Sequence, residues 1–512
     1  MSRAGALRAA GWLAGCSIVL SACGSHTAGS SLAASAGSAG SANAARASVI
    51  GGDWTRFGYD AGRSGAGPTA TGITANNLGA LSLRRVRIDG TADSSPIELR
   101  ALRVRGRVRD VVVLTTSYGE TIALDVGTGA RLWEYRPPGL GGYAGTAQIT
   151  NASPAADPGR RYVFAATPDG FIRKLPLATG REVRSARWPA RITYDATREK
   201  IASALNLSGN AVVAVTGGYY GDAPTYQGHL VTIDRTSGRV RHVFNSLCSN
   251  RRRLIDPPSA CPASDSAIWA RAGAVIEPGS GRILIATGNG PFNGFTEWGS
   301  SVLELSPAAG RLLHNWTPTN HAQLTAGDTD VGSTAPALLP ARAGRRLAVQ
   351  GGKDAQLHLL DLDRLDGTSA GAGPRLGGQL QQIASPGGGE VLSAPAVWSH
   401  AGHTYVFVAD DAGTGEYILQ GGSAPRLRLA ASNTTPGTSP VLAGGLLYVY
   451  DERGGRLEVY EPTQLRRLAS LRAASGHWNS PIVVGGRIIL PVGNANDHAT
   501  RGAVEIYHLP GR

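Results

Sequence analysis

One recurring pattern constrains this chain more than any other: a short polar residue, then Ser or Ala, then Pro, then an aliphatic run. It reads SSPI from Ser94, ASPA from Ala152, TAPA from Thr334, SAPA from Ser393, TSPV from Thr438 and NSPI from Asn479. Successive copies lie about 40 to 60 residues apart, apart from one gap of about 180 residues between Pro154 and Pro336, which has room for two more units. Degenerate copies fit there, in IASALNLSGNAVVAVTGG from Ile201 and in SAIWARAGAVIEPGSGRILIATG from Ser266. Each unit continues into a hairpin and further alternating strands, as in DVVVLTTSYGETIALDVGTGARLWEY from Asp110 to Tyr135. Eight such units of about four strands predict an all-β, eight-bladed propeller of antiparallel blades, in which each blade buries faces that it cannot bury alone. A solenoid would show helices, and 70 glycines and 29 prolines in 512 residues argue instead for short strands and turns. LSLRRVRI, Leu81 to Ile88, is expected to close the ring beside GAVEIYHL, Gly502 to Leu509, which removes the exposed edge.

The first residues predict export. Arg3 and Arg8 precede the apolar run AAGWLAGCSIVL, which ends in the box Leu20-Ser21-Ala22-Cys23. This predicts a lipoprotein signal over residues 1–22, lipidation of Cys23, a Ser/Gly/Ala-rich tether over 23–48 and a single propeller over 49–512. A second box ends at Cys16 but follows too short an apolar run. No later segment reaches the roughly 18 uncharged apolar residues of a membrane span, so lipid alone is expected to anchor the chain to a bacterial membrane, outside the cytoplasm. Cys248 and Cys261 then remain; a disulfide between them suits that compartment, and the alternative is two free thiols.

The formal charge is +13. Arginines cluster at Arg100, Arg103, Arg105, Arg107 and Arg109 around an expected hairpin tip at Gly106, and at Arg251 to Arg253. These read as solvated turns or as surfaces for an anionic partner. Export argues against nucleic acid, leaving an envelope protein or polymer as the expected partner of a monomeric propeller.

The run Ala123-Leu-Asp125-Val-Gly-Thr-Gly129-Ala-Arg-Leu-Trp133 resembles the tryptophan-docking motif of the pyrroloquinoline quinone (PQQ)-like propellers. Gly129 permits a tight turn, Asp125 bonds its amides, and Trp133 packs against a neighbouring blade. Partial copies hold Gly180 with Trp188, Asp234 with Gly238, and Gly310 with Trp316. The resemblance spans residues 52 to 510 and implies one of two functions: a quinoprotein dehydrogenase with PQQ and calcium, or a cofactor-free propeller such as the BamB-type assembly lipoproteins.

Two positions match the dehydrogenases. ATGNGPFNG places Asn289 where their TGN turn supplies a calcium ligand, and GGKDAQLHLLDLD places Lys353 where a basic residue contacts the quinone. Other positions depart. After NWTP this chain reads Thr319-Asn320-His321-Ala322-Gln323 where the resemblance calls for the Asp general base, and an amide accepts no substrate proton. Near GDAPTYQG only Asp222 stands for the Glu ligand, and the vicinal Cys pair and CxxCH motif are missing. Asn289 and Asp222 would make a thin calcium site. Two alternatives stand for the base: Asp328, Asp330 or His321 replaces it, or the two carboxylates bond loop amides.

Neither HExxH nor a Walker loop occurs. His400 and His403 flank an expected hairpin tip, and Asp361 to Gly367 lacks the spacing of a calcium loop. Tyr219, Tyr220, Tyr226, Phe292, Phe295 and Trp298 fall in loops, as packing residues or as an aromatic surface for a glycan or peptide. The sequence therefore predicts a non-catalytic binding or scaffolding propeller without cofactor. The alternative is a PQQ-dependent oxidoreductase with Asn289 and Lys353 on the cofactor and Asn289 and Asp222 on calcium; a carbohydrate-active propeller is the third reading.

Overall fold

Each Ser-Pro or Ala-Pro pair stands directly before the inner strand of a four-stranded antiparallel sheet, where proline's missing N–H costs no ladder bond. The computed structural model describes residues 52–342, 344–365 and 376–511. The signal 1–22, the tether 23–48 with Cys23, and Gly367 lie outside the described residues.

Eight blades follow in chain order: blade 1 (97–135), blade 2 (155–191), blade 3 (206–245), blade 4 (275–316), blade 5 (337–384), blade 6 (396–433), blade 7 (441–472) and blade 8 (482–508). Strand Ser82–Asp89 completes blade 8 by pairing with Arg501–His508, in a register that runs from Ser82 opposite His508 to Asp89 opposite Arg501. The expected ring closure is therefore observed. Two short helices, Leu140–Tyr143 and His321–Ala326, lie in connections.

The repeat has a physical reason beyond strand entry. Its hydroxyls link neighbouring blades: Ser153 Oγ accepts the Ser95 amide at 2.8 Å, Ser439 Oγ accepts the Ala394 amide at 2.9 Å, and Thr334 Oγ1 donates to the Ser393 carbonyl at 2.9 Å. The hydrophobic core is likewise shared between blades. One cluster joins Val111 and Trp133 of blade 1 to Val163 and Leu175 of blade 2, and another joins Phe164 and Trp188 to Val212 and Val231 of blade 3.

Trp133 docks as its motif predicts. Its Nε1 donates to the Leu177 carbonyl at 2.7 Å, and its ring lies on Gly180, where a Cβ would sit 2.3 Å from Cε3. Asp125 Oδ1 accepts the Thr128 amide at 3.1 Å, Gly129 turns at φ 76°, and Ala123 pairs with Trp133 across the hairpin. Trp188 repeats the device on Gly238, donating to the Thr236 carbonyl at 3.2 Å. In blade 3 the docking position is His242, which meets Gly310.

Residues 53–73 carry no strand alternation and cross the axial channel. Backbone bonds tie them to inner strands in succession: Trp54 to Glu98, the Thr55 carbonyl to Ala156, the Ala61 carbonyl to Ile276, the Ser64 carbonyl to Val397 and Gly67 to Leu442. Arg63, 3% exposed, donates to the carbonyls of Phe57, Ala204 and Leu205 at 2.6, 3.2 and 2.9 Å. The opening stretch DWTRFGYDAGRSGAGP is thus an axial plug.

Cys248 and Cys261 form the expected disulfide. Among the described residues no helix is long and apolar enough to cross a membrane.

Candidate functional site

Up-and-down strands sort the connections to two ends of the ring. The segments entering each blade and the loops between second and third strands share one end, the mouth; the remaining hairpin turns share the other, the turn face. Three of the residues that stand just before a repeat motif, Asp93, Asn151 and Trp478, meet at the mouth.

Trp269 enters blade 4 and Trp478 enters blade 8, half a ring apart, yet their ring centroids lie 5.6 Å from each other. They close the axis. His477 stacks on Trp478 at 4.0 Å, and its Nδ1 meets Asp93 Oδ2 at 2.7 Å. Asp93 also accepts the Asn151 side-chain amide at 2.8 Å and the Trp478 backbone amide at 3.1 Å. Burial would raise the Asp93 carboxyl, but His477, Arg271 and the Trp478 amide outweigh it and hold it below its ordinary value. Arg271 is buried and donates to the carbonyls of Ala202 and Asn151, both at 3.0 Å.

On the far side of Trp269 lie the two residues matched to cofactor contacts. Lys353 Nζ is 5.7 Å from the Trp269 ring centroid. It is also 2.7 Å from Asp330 Oδ2 and 3.5 Å from Asp328 Oδ2. Asp330 Oδ1 accepts the Asn289 backbone amide at 2.7 Å, and Asn289 Nδ2 donates to Asp328 Oδ1 at 2.8 Å. Burial raises the Asp330 carboxyl despite Lys353; burial would lower the Lys353 ammonium, but Asp330 and Asp328 raise it. The contact at 2.7 Å stands as an ion pair.

The structure thus brings Asn289, Lys353 and Asp330 together, whereas Asp222 is exposed and bonded to the Tyr226 hydroxyl at 2.8 Å. Asp328 and Asp330 bond Asn289 and Lys353 rather than only their own loop. His321 begins the helix His321–Ala326 and packs edge-on against Phe292 at 5.1 Å. Tyr226 and Trp298 are 4% and 6% exposed and belong to the core; Tyr220 and Phe295, at 94% and 72%, are the aromatics of that set offered to solvent. His400 and His403 pair across their hairpin, with His400 stacked on Trp398 at 4.2 Å.

Four mouth residues escaped sequence reasoning: Asp93, Lys200, Arg271 and Trp478. Asp93 and Trp478 each stand immediately before a repeat motif, and that position was the available signal. Lys200 lies in the short pair Glu199–Lys200 with Gly217–Gly218, buried at 7% exposure, and among the described residues no carboxylate ion-pairs with it. Burial lowers its ammonium to about 8; Arg271 adds to the drop, and Asp93 and Asp222 oppose it.

A family model described as the outer membrane protein assembly factor BamB matches residues 99–259. The ring also superposes on a quinohemoprotein alcohol dehydrogenase from Comamonas testosteroni with a TM-score of 0.65 at 16% identity, covering 92% of this chain and 82% of that one. The chain folds as a PQQ-like β-propeller. A quinohemoprotein alcohol dehydrogenase from Pseudomonas putida HK5 has a TM-score of 0.66 at 15% identity, covering 90% of this chain and 81% of that one. A europium-containing methanol dehydrogenase has a TM-score of 0.64 at 14% identity, covering 90% of this PQQ-like propeller and 98% of that chain. No curated protein matches the chain in sequence.

The donors at the mouth fit a calcium–quinone pair poorly. Asn289 Oδ1 is buried without a hydrogen-bond partner, so one ligand atom is free. Calcium takes several carboxylates, however, and no group of three or more His, Cys, Asp or Glu is placed to hold a metal among the described residues. Lys353 already sets its cation against Asp330. Beside Trp478 a cavity of about 280 Å³ is lined by Glu390, Asp410, Asp411 and Glu452 against Arg453 and His477, an acidic excess that disfavours a polycarboxylate quinone.

Proposed function

We propose that this PQQ-like propeller is a lipid-anchored, extracytoplasmic protein that acts as a binding or scaffolding module of the cell envelope, without quinone chemistry. The observation that carries this reading is the network at the mouth: Asn289 and Lys353, the residues matched to cofactor contacts, are both held by Asp330, whose Oδ2 lies 2.7 Å from Lys353 Nζ and whose Oδ1 accepts the Asn289 amide at 2.7 Å. The box ending at Cys23, the disulfide and the BamB-described family match support the envelope setting. Loops on a rigid ring then supply the contacts to a protein or polymer partner.

The second reading is a divergent PQQ-dependent oxidoreductase. The buried, unpartnered Asn289 Oδ1 beside Lys353 favours it, with Asn289 and Lys353 on the cofactor. A calorimetric titration of PQQ with calcium into the Cys23→Ser full chain separates the two. The first reading expects no binding heat up to high micromolar PQQ. Tight binding that both Asn289→Ala and Lys353→Ala abolish overturns it. Lipid anchoring is read separately from the mass of the mature N-terminus, which Cys23→Ser should leave without acyl groups; an unacylated wild-type chain overturns the anchor.

A further inference from the structure

The turn face carries uncompensated positive charge where the chain enters the ring. In blade 1 the hairpin of Ile97–Val104 and Arg107–Thr115 exposes Arg103, Arg105 and Arg107, and the first turn of blade 2 exposes Arg160 and Arg161. Arg160 pairs with Asp53 at 2.9 Å. Arg103, Arg105, Arg107 and Arg161 form no ion pair among the described residues.

The carboxylates nearest in sequence are engaged elsewhere. Asp110 meets Arg487 at 2.9 Å and Arg100 at 3.1 Å, and Asp125 meets Arg109. Asp157 accepts the Arg161 and Tyr162 amides at 2.7 and 2.6 Å. Val108, directly opposite Arg103 in the hairpin, is 58% exposed and so adds an apolar side chain to the basic edge.

The position of this patch relative to the chain entry decides its partner. Asp53, the second described residue, accepts the Arg100 backbone amide at 2.8 Å at the base of the same hairpin. Thirty residues separate it from Cys23, a span of at most about 100 Å even for a fully extended chain. A lipid on Cys23 would hold the patch near a membrane.

We propose that this hairpin face docks on an anionic phospholipid surface, with Arg103, Arg105, Arg107 and Arg161 against headgroup phosphates and Val108 at the interface. The proposal rests on the lipid-anchored reading for its biological setting. An arginine near an anionic leaflet contributes about five-fold to partitioning, so three together contribute about a hundred-fold. The mouth then points away from the bilayer, free for a partner.

Vesicle flotation of the Cys23→Ser full chain tests the surface without the lipid. Binding is expected to vesicles of mixed phosphatidylcholine and phosphatidylglycerol, not to phosphatidylcholine alone, and to weaken as salt rises. Arg103→Ser/Arg105→Ser/Arg107→Ser should lower partitioning about a hundred-fold with an unchanged far-ultraviolet spectrum. Arg426→Ser/Arg428→Ser, exposed on blade 6, should leave it unchanged. Absence of binding to the anionic vesicles, or binding that the triple variant retains, overturns the proposal. Because lipidation is measured on the N-terminus itself, failure of the anchor and failure of this surface are distinguishable.

Discussion

The contact between Trp133 and Gly180 gives a prediction whose size follows from the geometry. Trp133 is 6% exposed, and its Nε1 bond to the Leu177 carbonyl is 2.7 Å long. Trp133→Ala removes the indole and leaves a cavity between blades 1 and 2, a change that costs about 3 to 5 kcal/mol. Gly180→Ala attacks the same contact from the other side. Its Cβ would fall 2.3 Å from Trp133 Cε3 and 2.6 Å from Cδ2, at φ 68°, where an L-residue is strained. The strain alone costs about 1 to 2 kcal/mol, and displacing a packed indole adds about as much again. In the Trp133→Ala background the indole is gone, so Gly180→Ala should cost only the backbone strain. Urea unfolding of the four members of this cycle, followed by far-ultraviolet circular dichroism, should therefore show a coupling of about 1 to 2 kcal/mol. If Gly180→Ala costs the same with and without Trp133, the indole is not seated on that glycine and the docking account is wrong.

Two other perturbations test the interior and the loop. Glu98 is fully buried and its carboxylate accepts no hydrogen bond; burial raises its pKa to about 8, against the opposing charges of Arg487 and Arg100. Its raised folded value means that the stability it contributes is full below the unfolded pKa near 4.5 and lost as pH rises through about 8. Unfolding free energy should decline across that window, and Glu98→Gln should flatten the decline; an unchanged slope in the variant would show that Glu98 is not the titrating group. The Cys248–Cys261 bridge closes a loop with a sequence separation of 13, so Cys248→Ser/Cys261→Ser should lower stability by about 3 kcal/mol, read from denaturation midpoints without reductant.

What was legible in the sequence was whatever repeats. The Ser-Pro pairs mark strand entry and blade linkage at once, so they located six of eight inner strands, and the degenerate copies from Ile201 and Ser266 located the other two. Closure by Leu81 to Ile88 was readable because an unpaired alternating strand must find an edge. The plug was not, since residues 53–73 bond one after another to different blades and so carry no periodicity. Its signal was indirect: a Trp, two arginines and several glycines in a stretch that alternates like nothing else in the chain. At the mouth, Asn289 and Lys353 were visible through resemblance. Asp330 was visible only as a displaced alternative, because its contact with both depends on how two loops from different blades cross. Asp93 and Trp478 were hidden for a similar reason, as their pairing joins positions 385 apart in sequence.

The plug also determines how the two ends of the ring divide their tasks. Trp54 is 1% exposed and Arg63 3%, so the axis is blocked from the turn face, and Trp269 and Trp478 close it again from the mouth. A ligand or partner therefore meets the two faces as separate surfaces. At the mouth, Asp93 is held by His477 and Asp330 by Lys353, whereas among the described residues no carboxylate ion-pairs with Lys200, a buried ammonium. At the turn face, carboxylates are consumed by backbone amides and arginines, and the surplus arginines stand exposed. A buried unpaired cation is costly and would favour a small anionic group from a partner, whereas an exposed row of cations costs little and gives long-range attraction to an extended anionic surface. On the proposed reading recognition falls to the mouth and adhesion to the turn face, so Lys200→Met should leave vesicle flotation unchanged, and a loss of flotation in that variant would refute the division.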